Sequence, residues 1–293
     1  MNDIIFKNFK KCEISHMRTS FNKAFSDYIL PIQLSPRAFE HKILYKSNIN
    51  LKYSVGSYYK HQLVGFIFQS INTYESKKTA YNGGTGVIGQ FRGNKLTERM
   101  YSHVFPKIKR AGIEQCVLEV ISINKPAIKV YERLGFEKSK FLHCLKLSDA
   151  SKYLLNKKNL PGIKFHKPVV PNWKAYHSFC DLEASFLDTI PLLRNNYRNE
   201  IIIEARLDNQ LIGFVIFNKR MGRVGHIGVD PAHRGKGIGS LLILHMYKLC
   251  HKKSIYILNI NERYYGLISF FLQLGFKNEI DQFELKCDLN RVQ

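Results

Sequence analysis

The chain repeats itself. LVGFIF at 63–68 returns as LIGFVIF at 211–217, and FRGNKLTERM at 91–100 is faced by HRGKGIGSLL at 233–242. LEVISINKPAIKVYERLGF at 118–136 is faced by LNINERYYGLISFFLQLGF at 258–276, and Leu145-Lys146 by Leu285-Lys286. The offsets are 148, 142, 140 and 140 residues. Four blocks in one order, with offsets that drift by a few residues, indicate two copies of one domain. At 293 residues, each copy has enough chain for a core of its own. Between the copies, ASKYLLNKKNLPGIKFHKP is polar and carries Pro and Gly. The expected division is an N-terminal domain over 1–148, a linker over 149–163 and a C-terminal domain over 164–293.

Within the second copy, IIIEARLD and LIGFVIF are strand-like runs on either side of an Asn-containing turn, a hairpin signal. RVGHIGVD is a further strand that stops at Pro231. The Leu-rich, Pro-free stretch from Ser240 to Lys248 suits a helix. SIYILNI is a strand, YGLISFFLQ a helix closed by Gly275, and FELKCDL a last strand. The first copy gives the same order, with YSVGSYY, LVGFIF, GTGVI, a helix from about Thr97, CVLEV, a helix through PAIKVYERL and then FLHCLKL. Upstream, NKAFSDY and PRAFEHKI read as helices. The fold class expected is α/β in the mixed, α+β sense, twice over.

Composition narrows the setting. Apolar residues make up 45% of the chain, and no apolar run approaches the ~18 residues of a membrane helix. MNDIIFKNFKKCE has no signal-peptide core, and the six scattered cysteines form neither a CxxC pair nor a zinc pattern. A cytoplasmic protein with reduced thiols and no metal is expected. The net charge of +22 is spread over both halves, with 24 bases against 11 acids through residue 150 and 21 against 12 after it. Such a field favours anionic partners, and on charge alone a nucleic acid or a ribosome is one possibility. Lysine used for solubility explains it as well, because KIKR at 107–110 and HKK at 251–253 are short and lack interleaved aromatics.

The glycine run RGKGIG at 234–239 stands between a strand ending at Val229-Asp230 and a helix. The first amides of a helix have no intrahelical partner, and its positive end attracts phosphate. Glycine lets the backbone approach the anion with no Cβ in the way. The Walker pattern is excluded, since Asp230 stands where its first glycine belongs. A GxGxxG occurs at 84–89, but it follows polar TAYN and leads to QFRG, so it lacks its strand and its helix.

These residues resemble a known family. RGKGIG matches the [QR]xxGx[GA] loop of GNAT-type N-acetyltransferases, and Asn124, Ala127, Tyr131 and Gly135-Phe136 complete its NxxAxxxYxxxGF helix in the first copy. The likeness spans both copies. It implies two tandem domains, each a central, mostly antiparallel sheet with a splayed strand pair, flanked by helices. It also implies acetyl transfer from acetyl-CoA to an amine, with the pantetheine arm between the splayed strands. Carried onto this chain, Arg234, Gly235, Lys236, Gly237, Ile238, Gly239 and Ser240 hold the diphosphate, and the main chain of Ile227 and Val229 holds the arm. The matching first-copy positions are Thr85 and Val87, then Arg92, Gly93, Asn94, Lys95, Leu96 and Thr97. Asn124 contacts the arm and Tyr131 is the general acid for the leaving thiolate, whose ordinary pKa is ~8.5.

Each copy departs from that pattern differently. Lys95 and Thr97 replace the glycines at 237 and 239, whereas Phe271 and Tyr264 replace Tyr131 and Asn124. Lys95 either obstructs the diphosphate or swings out and pairs with it. Catalysis is assigned to the first copy and tight cofactor binding to the second, with the reverse, a catalytic second copy using Tyr256, Tyr264, Tyr265 or water as acid, as the competing arrangement. Glu119 is a candidate base in the first copy and His226 in the second. Strand alternation turns the His226 side chain away from those of Ile227 and Val229. Asn124 also suits a helix cap, Tyr131 a core position, and Arg92 and Arg234 exposed loop bases. Asp27, Asp181 and Glu183 lie in the stretches that would meet a small-molecule or peptide amine. A non-catalytic acyl-CoA sensor or scaffold is the alternative function. The sequence leaves the amine and the oligomeric state open.

Overall fold

The computed structural model describes residues 3–150, 160–181, 184–196, 200–250 and 252–291. In chain order the strands are β1 (Ile4–Asn8), β2 (Val55–Tyr59), β3 (Gln62–Tyr74), β4 (Lys77–Val87), β5 (Gln115–Ile121), β6 (Glu137–Leu147), β7 (Ile163–His166), β8 (Ile201–Leu207), β9 (Gln210–Asn218), β10 (Arg223–Val229), β11 (Ile255–Asn261), β12 (Lys277–Asn278) and β13 (Gln282–Asp288). The helices are α1 (Ile14–Ala24), α2 (Pro36–Phe39), α3 (Leu96–Arg110), α4 (Lys125–Arg133), α5 (Trp173–Ser178), α6 (Ile190–Asn196), α7 (Ile238–Leu249) and α8 (Tyr265–Gln273).

Two compact units result. One comprises Met1–Ser139 together with Phe283–Gln293, the other Lys140–Gln282. The units therefore do not follow the division at 148 and 164. Most of β6, the last strand of the first copy, belongs to the second unit, where it pairs antiparallel with β11 from Ile255↔Leu147 to Asn261↔Leu142. In return, β13 lies next to β5 in the first unit. The exchange satisfies burial at both places. Leu285, Cys287 and Leu289 join the core cluster of the first unit, and Leu145 and Leu147 that of the second. Offsets between repeats record similarity, not partnership, so no local pattern signals the exchange. Residues 151–159 of the expected linker, Glu183 and His251 lie outside the described residues. The linker's last residue, Ile163, instead begins β7, which pairs with β8.

Within the first unit the strand order is β1-β2-β3-β4-β5-β13. The pairs are antiparallel from β1 to β4, and β4 runs parallel to β5. The β2–β3 and β3–β4 hairpins turn on Lys60-His61 and Glu75-Ser76, all four at positive φ. That is the two-residue turn whose twist suits a hairpin. Helices cover both faces. Met17, Phe21, Phe39, Ile43, Phe66 and Phe68 pack on the α1 side, and Ile67, Met100, Val104, Ile108, Leu118 and Ile128 on the α3–α4 side. Near-continuous burial along β3 follows from this two-sided cover. The helix expected over NKAFSDY lies earlier, at α1, and gives way to a turn after Ala24. PRAFEHKI starts as α2 behind a Ser35 cap and continues in wider π-helical turns to Lys46.

The second unit has the order β7-β8-β9-β10-β11-β6, with β12 also on β6. Its β8–β9 turn, Asp208-Asn209, is again left-handed at both residues. Tyr176, Phe179, Leu193 and Phe214 form one face and the Leu-rich α7 with Phe271 the other.

Buried charge fixes β13 in place. The Glu284 carboxylate is fully buried and accepts from the Tyr74 phenol at 2.6 Å and the Ser139 hydroxyl at 3.0 Å, with Lys286 Nζ at 3.3 Å. Burial and this carboxylate push the Tyr74 phenol well up, so it stays a donor. Leu285 beside it is 0% exposed. Leu285→Ala is expected to cost about 2–5 kcal/mol in urea unfolding followed by circular dichroism. A loss below about 1 kcal/mol would mean that β13 is dispensable to the first unit.

Candidate active site

A one-residue irregularity opens the site in each unit. On β4, Asn82 faces Gln69 and Gly84 faces Phe68, so Gly83 is extra. On β10, Val224 faces Phe217 and His226 faces Ile216, so Gly225 is extra. The two bulges sit 142 residues apart, at matching places. A bulge bends its strand and raises local twist. Accordingly, the parallel β4–β5 pairing ends at Asn82↔Leu118, and the β10–β11 pairing at Val224↔Ile257. Ile88 N–H donates to Val64 O and Asp230 N–H to Ile212 O. Main-chain groups alternate along an antiparallel ladder, so those of Thr85 and Val87, and of Ile227 and Val229, face the opened edge.

Beyond each opened strand lies the glycine turn. Gly235 and Gly237 have φ of 76° and 85°, and Gly93 and Lys95 repeat that shape at 80° and 53°. Lys95 thus adopts a conformation that is unfavourable for a residue with a Cβ, by about 1–2 kcal/mol. The residue is exposed, and the turn keeps the left-handed shape of its C-terminal counterpart. The first intrahelical bonds are Leu241 N–H to Gly237 O and Arg99 N–H to Lys95 O. The amides of Ile238, Gly239 and Ser240, and of Leu96, Thr97 and Glu98, therefore precede the helical ladder. A Cβ at Gly235 would meet nothing within 4 Å, which leaves open ground beside this turn. Gly239 has a different reason: a Cβ there would come within 3.1 Å of the Phe270 ring. The N-terminal copy has Thr97 at that place and the smaller Val130 in place of Phe270. Asn94 steadies its loop by donating to Phe91 O and Arg92 O, while Lys236 Nζ reaches Ala232 O at 3.2 Å.

The arginines of the two loops are committed elsewhere. Arg92 donates from Nε to Val87 O, from Nη2 to Ala24 O and from both Nη atoms to Asp27 at 2.7 Å. Arg234 repeats this with Val229 O, Phe179 O and Asp181. Hydrogen bonding to Arg92 lowers the Asp27 carboxyl. Each arginine ties the end of the opened strand to the segment that follows the first helix of its unit. The guanidinium groups expected at an anion, and Asp27 and Asp181 expected at an amine, thus bind each other.

Tyr131 is 8% exposed. Burial pushes its phenol up to about 12, against hydrogen bonding from Thr85 and Asn82. Asn124 caps α4 by accepting from Ala127 N–H, and its Nδ2 donates to the Tyr28 hydroxyl at 3.3 Å. Sequence reasoning missed Tyr28, because its segment carries no motif. Glu119 accepts from the Tyr81 phenol at 2.6 Å. Cys116, Leu118 and Val120 face α3 and α4, so alternation turns Glu119 to the α1 side.

His226 is on the matching face of the second unit, over Phe214 and 3.8 Å from the Cys180 sulfur. Its Nδ1 accepts from Ile227 N–H, which places the proton of the neutral ring on Nε2. Burial lowers its pKa. Burial also raises the Cys180 thiol to about 12, so the pair is neutral imidazole and neutral thiol. Behind it, Arg223 and Asp188 form a buried bidentate pair. Phe271, where the first copy has Tyr131, is fully buried core. Among the described residues no cluster of three or more His, Cys, Asp or Glu suits a metal.

A histidine with a lowered folded-state pKa costs stability as pH falls. Below about 6.5 the unfolded chain takes up a proton that the folded ring refuses until its own lower pKa is reached. His226→Gln is therefore expected to flatten the loss of thermal stability below about pH 6.5. An unchanged slope would mean that the ring is solvated.

The profile of the Acetyltransferase (GNAT) family matches residues 18–136 and 169–276. No curated protein matches the sequence. Among solved structures, a tandem GNAT protein from the clavulanic acid biosynthesis pathway superposes with a TM-score of 0.75 at 13% identity, covering 98% of each chain. A GCN5-related N-acetyltransferase from Sphaerobacter thermophilus gives 0.69 at 11% identity, covering 99% of this chain and 96% of that one. One from Anabaena variabilis gives 0.63 at 10%, covering 98% and 73%. Likeness at such identities speaks for the fold, and the two profile matches speak for descent. The chain belongs to the acetyltransferase (GNAT) family, with two of its domains in tandem.

Proposed function

We propose that the protein is an N-acetyltransferase that moves the acetyl group of acetyl-CoA to a primary amine by direct attack in a ternary complex. The N-terminal unit performs the chemistry, and the C-terminal unit holds coenzyme A on its glycine turn. The observation that carries this reading is a buried phenol, Tyr131, beside a strand pair opened by a bulge and next to a helix start with unladdered amides.

In this reading the amine nitrogen attacks the thioester carbonyl, the carbon–sulfur bond breaks and the sulfur takes the phenol proton. Glu119, on the α1 side, receives the amine proton. An N–H at the opened edge of β4 stabilises charge on the carbonyl oxygen. A phenol near 12 is a weaker acid than a free thiol, but the same dry cleft that raises the phenol also raises the thiol. Tyr131 therefore works as a donor aimed at developing charge. In the C-terminal unit, His226 is the matching base and no phenol replaces Tyr131. This favours a holding role there, the point at which the acyl-CoA sensor reading has support. Main-chain groups of Ile227 and Val229, and of Arg234 through Ser240, are the contacts proposed for coenzyme A; Thr85, Val87, Arg92 through Thr97 and Asn124 serve the other unit.

Tyr131→Phe is expected to lower kcat about 100- to 10,000-fold with coenzyme A affinity retained. Unchanged turnover across a panel of amines would remove the acid role. In wild type, kcat/KM should show no descending limb until pH approaches 12. A fall already near pH ~9 would point to another acid. Gly237→Val, which places a β-branched residue at φ 85°, should weaken calorimetric binding of coenzyme A and spare Tyr131-dependent turnover. Loss of turnover in the folded variant would move the chemistry to the C-terminal unit.

A further inference from the structure

The opening between β4 and β5 is crossed by a chain of bonds. On the β4 side, Arg92 Nε donates to Val87 O at 3.1 Å, and its two Nη atoms bind the Asp27 carboxylate. The next residue is Tyr28. Its hydroxyl accepts from Asn124 Nδ2 at 3.3 Å, and Asn124 stands on the far side, between β5 and α4. Every link from Val87 to Asn124 is a hydrogen bond or a covalent bond.

Both ends of this crossing are held. The segment after α1 folds back on that helix: Ile32 N–H donates to Phe25 O, and Asn22 bonds both main-chain groups of Leu34, at 2.9 and 3.0 Å. The Tyr28 ring lies edge-on to Phe25 at 5.1 Å, and Phe25 packs on Phe21 at 4.6 Å. Across the opening, Asn124 Oδ1 is spent on Ala127 N–H as the cap of α4, so the amide turns Nδ2 to Tyr28. The second Nδ2 proton and the proton of the phenol find no acceptor among the described residues. The pair thus offers donors to whatever lies between the strands, which suits the carbonyl oxygens of a pantetheine arm.

The second copy keeps the anchor and lacks the crossing pair. Arg234 holds Val229 O and Asp181 as Arg92 holds Val87 O and Asp27. The residue after Asp181 is Leu182, which lies outside the described residues and carries no hydroxyl, and Tyr264 takes the place of Asn124. The anchor goes with the fold, and the crossing pair goes with the copy that has Tyr131.

We propose that Tyr28 is a positioning residue for the acyl donor: by bonding Asn124 it closes the α1 side of the opening and turns its own proton onto the arm of acetyl-CoA. This rests on the reading of that opening as the seat of the arm. The bond accepted from Asn124 strengthens the one that the phenol donates. The donor stays seated while the amine reacts.

Steady-state kinetics of the full chain test it. Tyr28→Phe, which keeps the ring, is expected to raise the KM for acetyl-CoA and the inhibition constant of coenzyme A about 3- to 10-fold, with kcat retained. Tyr28→Leu, with the residue of the second copy, should do at least as much. Asn124→Ser keeps a cap but does not reach the phenol, and in that background Tyr28→Phe should add less than about 2-fold. An unchanged KM, or equal increases in both backgrounds, would overturn the closure. So would a fall in kcat at constant KM, which would place Tyr28 at the transition state. Calorimetry with coenzyme A in a Gly237→Val background reads the N-terminal unit wherever turnover occurs, and the same loss of affinity is expected there. If turnover disappears in that background while Tyr28→Phe still weakens binding, the chemistry moves to the C-terminal unit and the closure stands. If coenzyme A no longer binds there at all, the seat of the arm falls and the closure with it. Circular dichroism identifies any variant that fails to fold, and whichever of Tyr28→Phe and Tyr28→Leu folds then decides.

Discussion

Everything at the site depends on one extra residue in a strand. A parallel pair of strands normally keeps its main-chain groups for each other. By inserting Gly83 or Gly225, the chain bends β4 or β10 away and leaves a row of amides and carbonyls facing an opening. Such an edge attracts another extended chain. Here a helix start and a positively charged turn lie just beyond it. An extended molecule with polar amides along its length and an anion at one end matches that surface in both shape and charge. In the function proposed, the ligand class is selected through backbone geometry before any side chain contributes.

The arginine clamps keep this opening in shape. A bent strand with an unpaired edge would sag, and Arg92 and Arg234 prevent it by bonding the last carbonyl of the opened strand. Both guanidinium groups then reach the chain that follows the first helix. Because the ion pairs are exposed, their worth lies in fixed direction and not in Coulomb energy. The planar fork explains why the position is Arg in both copies, where a lysine would hold one partner at a time.

Much of this was legible in the sequence, and the illegible part has physical causes. The repeat, the glycine turn, the helices from Leu96 and Ile238 and the helix bearing Tyr131 all announce themselves locally. Left-handed φ at Gly235 and Gly237 is a demand that glycine advertises. Lys95 meets the same demand without advertising it. Turns at Lys60-His61 and Glu75-Ser76 hide for the same reason, and so β3 and β4 run longer than their apolar cores suggest. The direction of the Arg92 side chain was also hidden, since a motif gives a residue its place but not its rotamer. Deepest hidden are the contacts among Asn82, Thr85, Tyr101 and Tyr131. They lie on a strand and two helices, and only folding brings them together.

The exchanged strands explain how two copies so unequal stay in one chain. A duplicate without the phenol that folded alone would be free to disappear. Here the first unit draws Leu285, Cys287 and Leu289 from the end of the second copy, and the second draws Leu145 and Leu147 from the end of the first. Loss of either copy would strip a buried strand from the unit that remains. Each copy is therefore held by the other's core, whatever chemistry it performs. Apolar side chains at Phe271, Val224 and Ile227 are compatible with that constraint, because they add to the core that the exchange requires. The N-terminal unit instead carries the buried polar residues Gln69 and Asn82 at the matching strand positions.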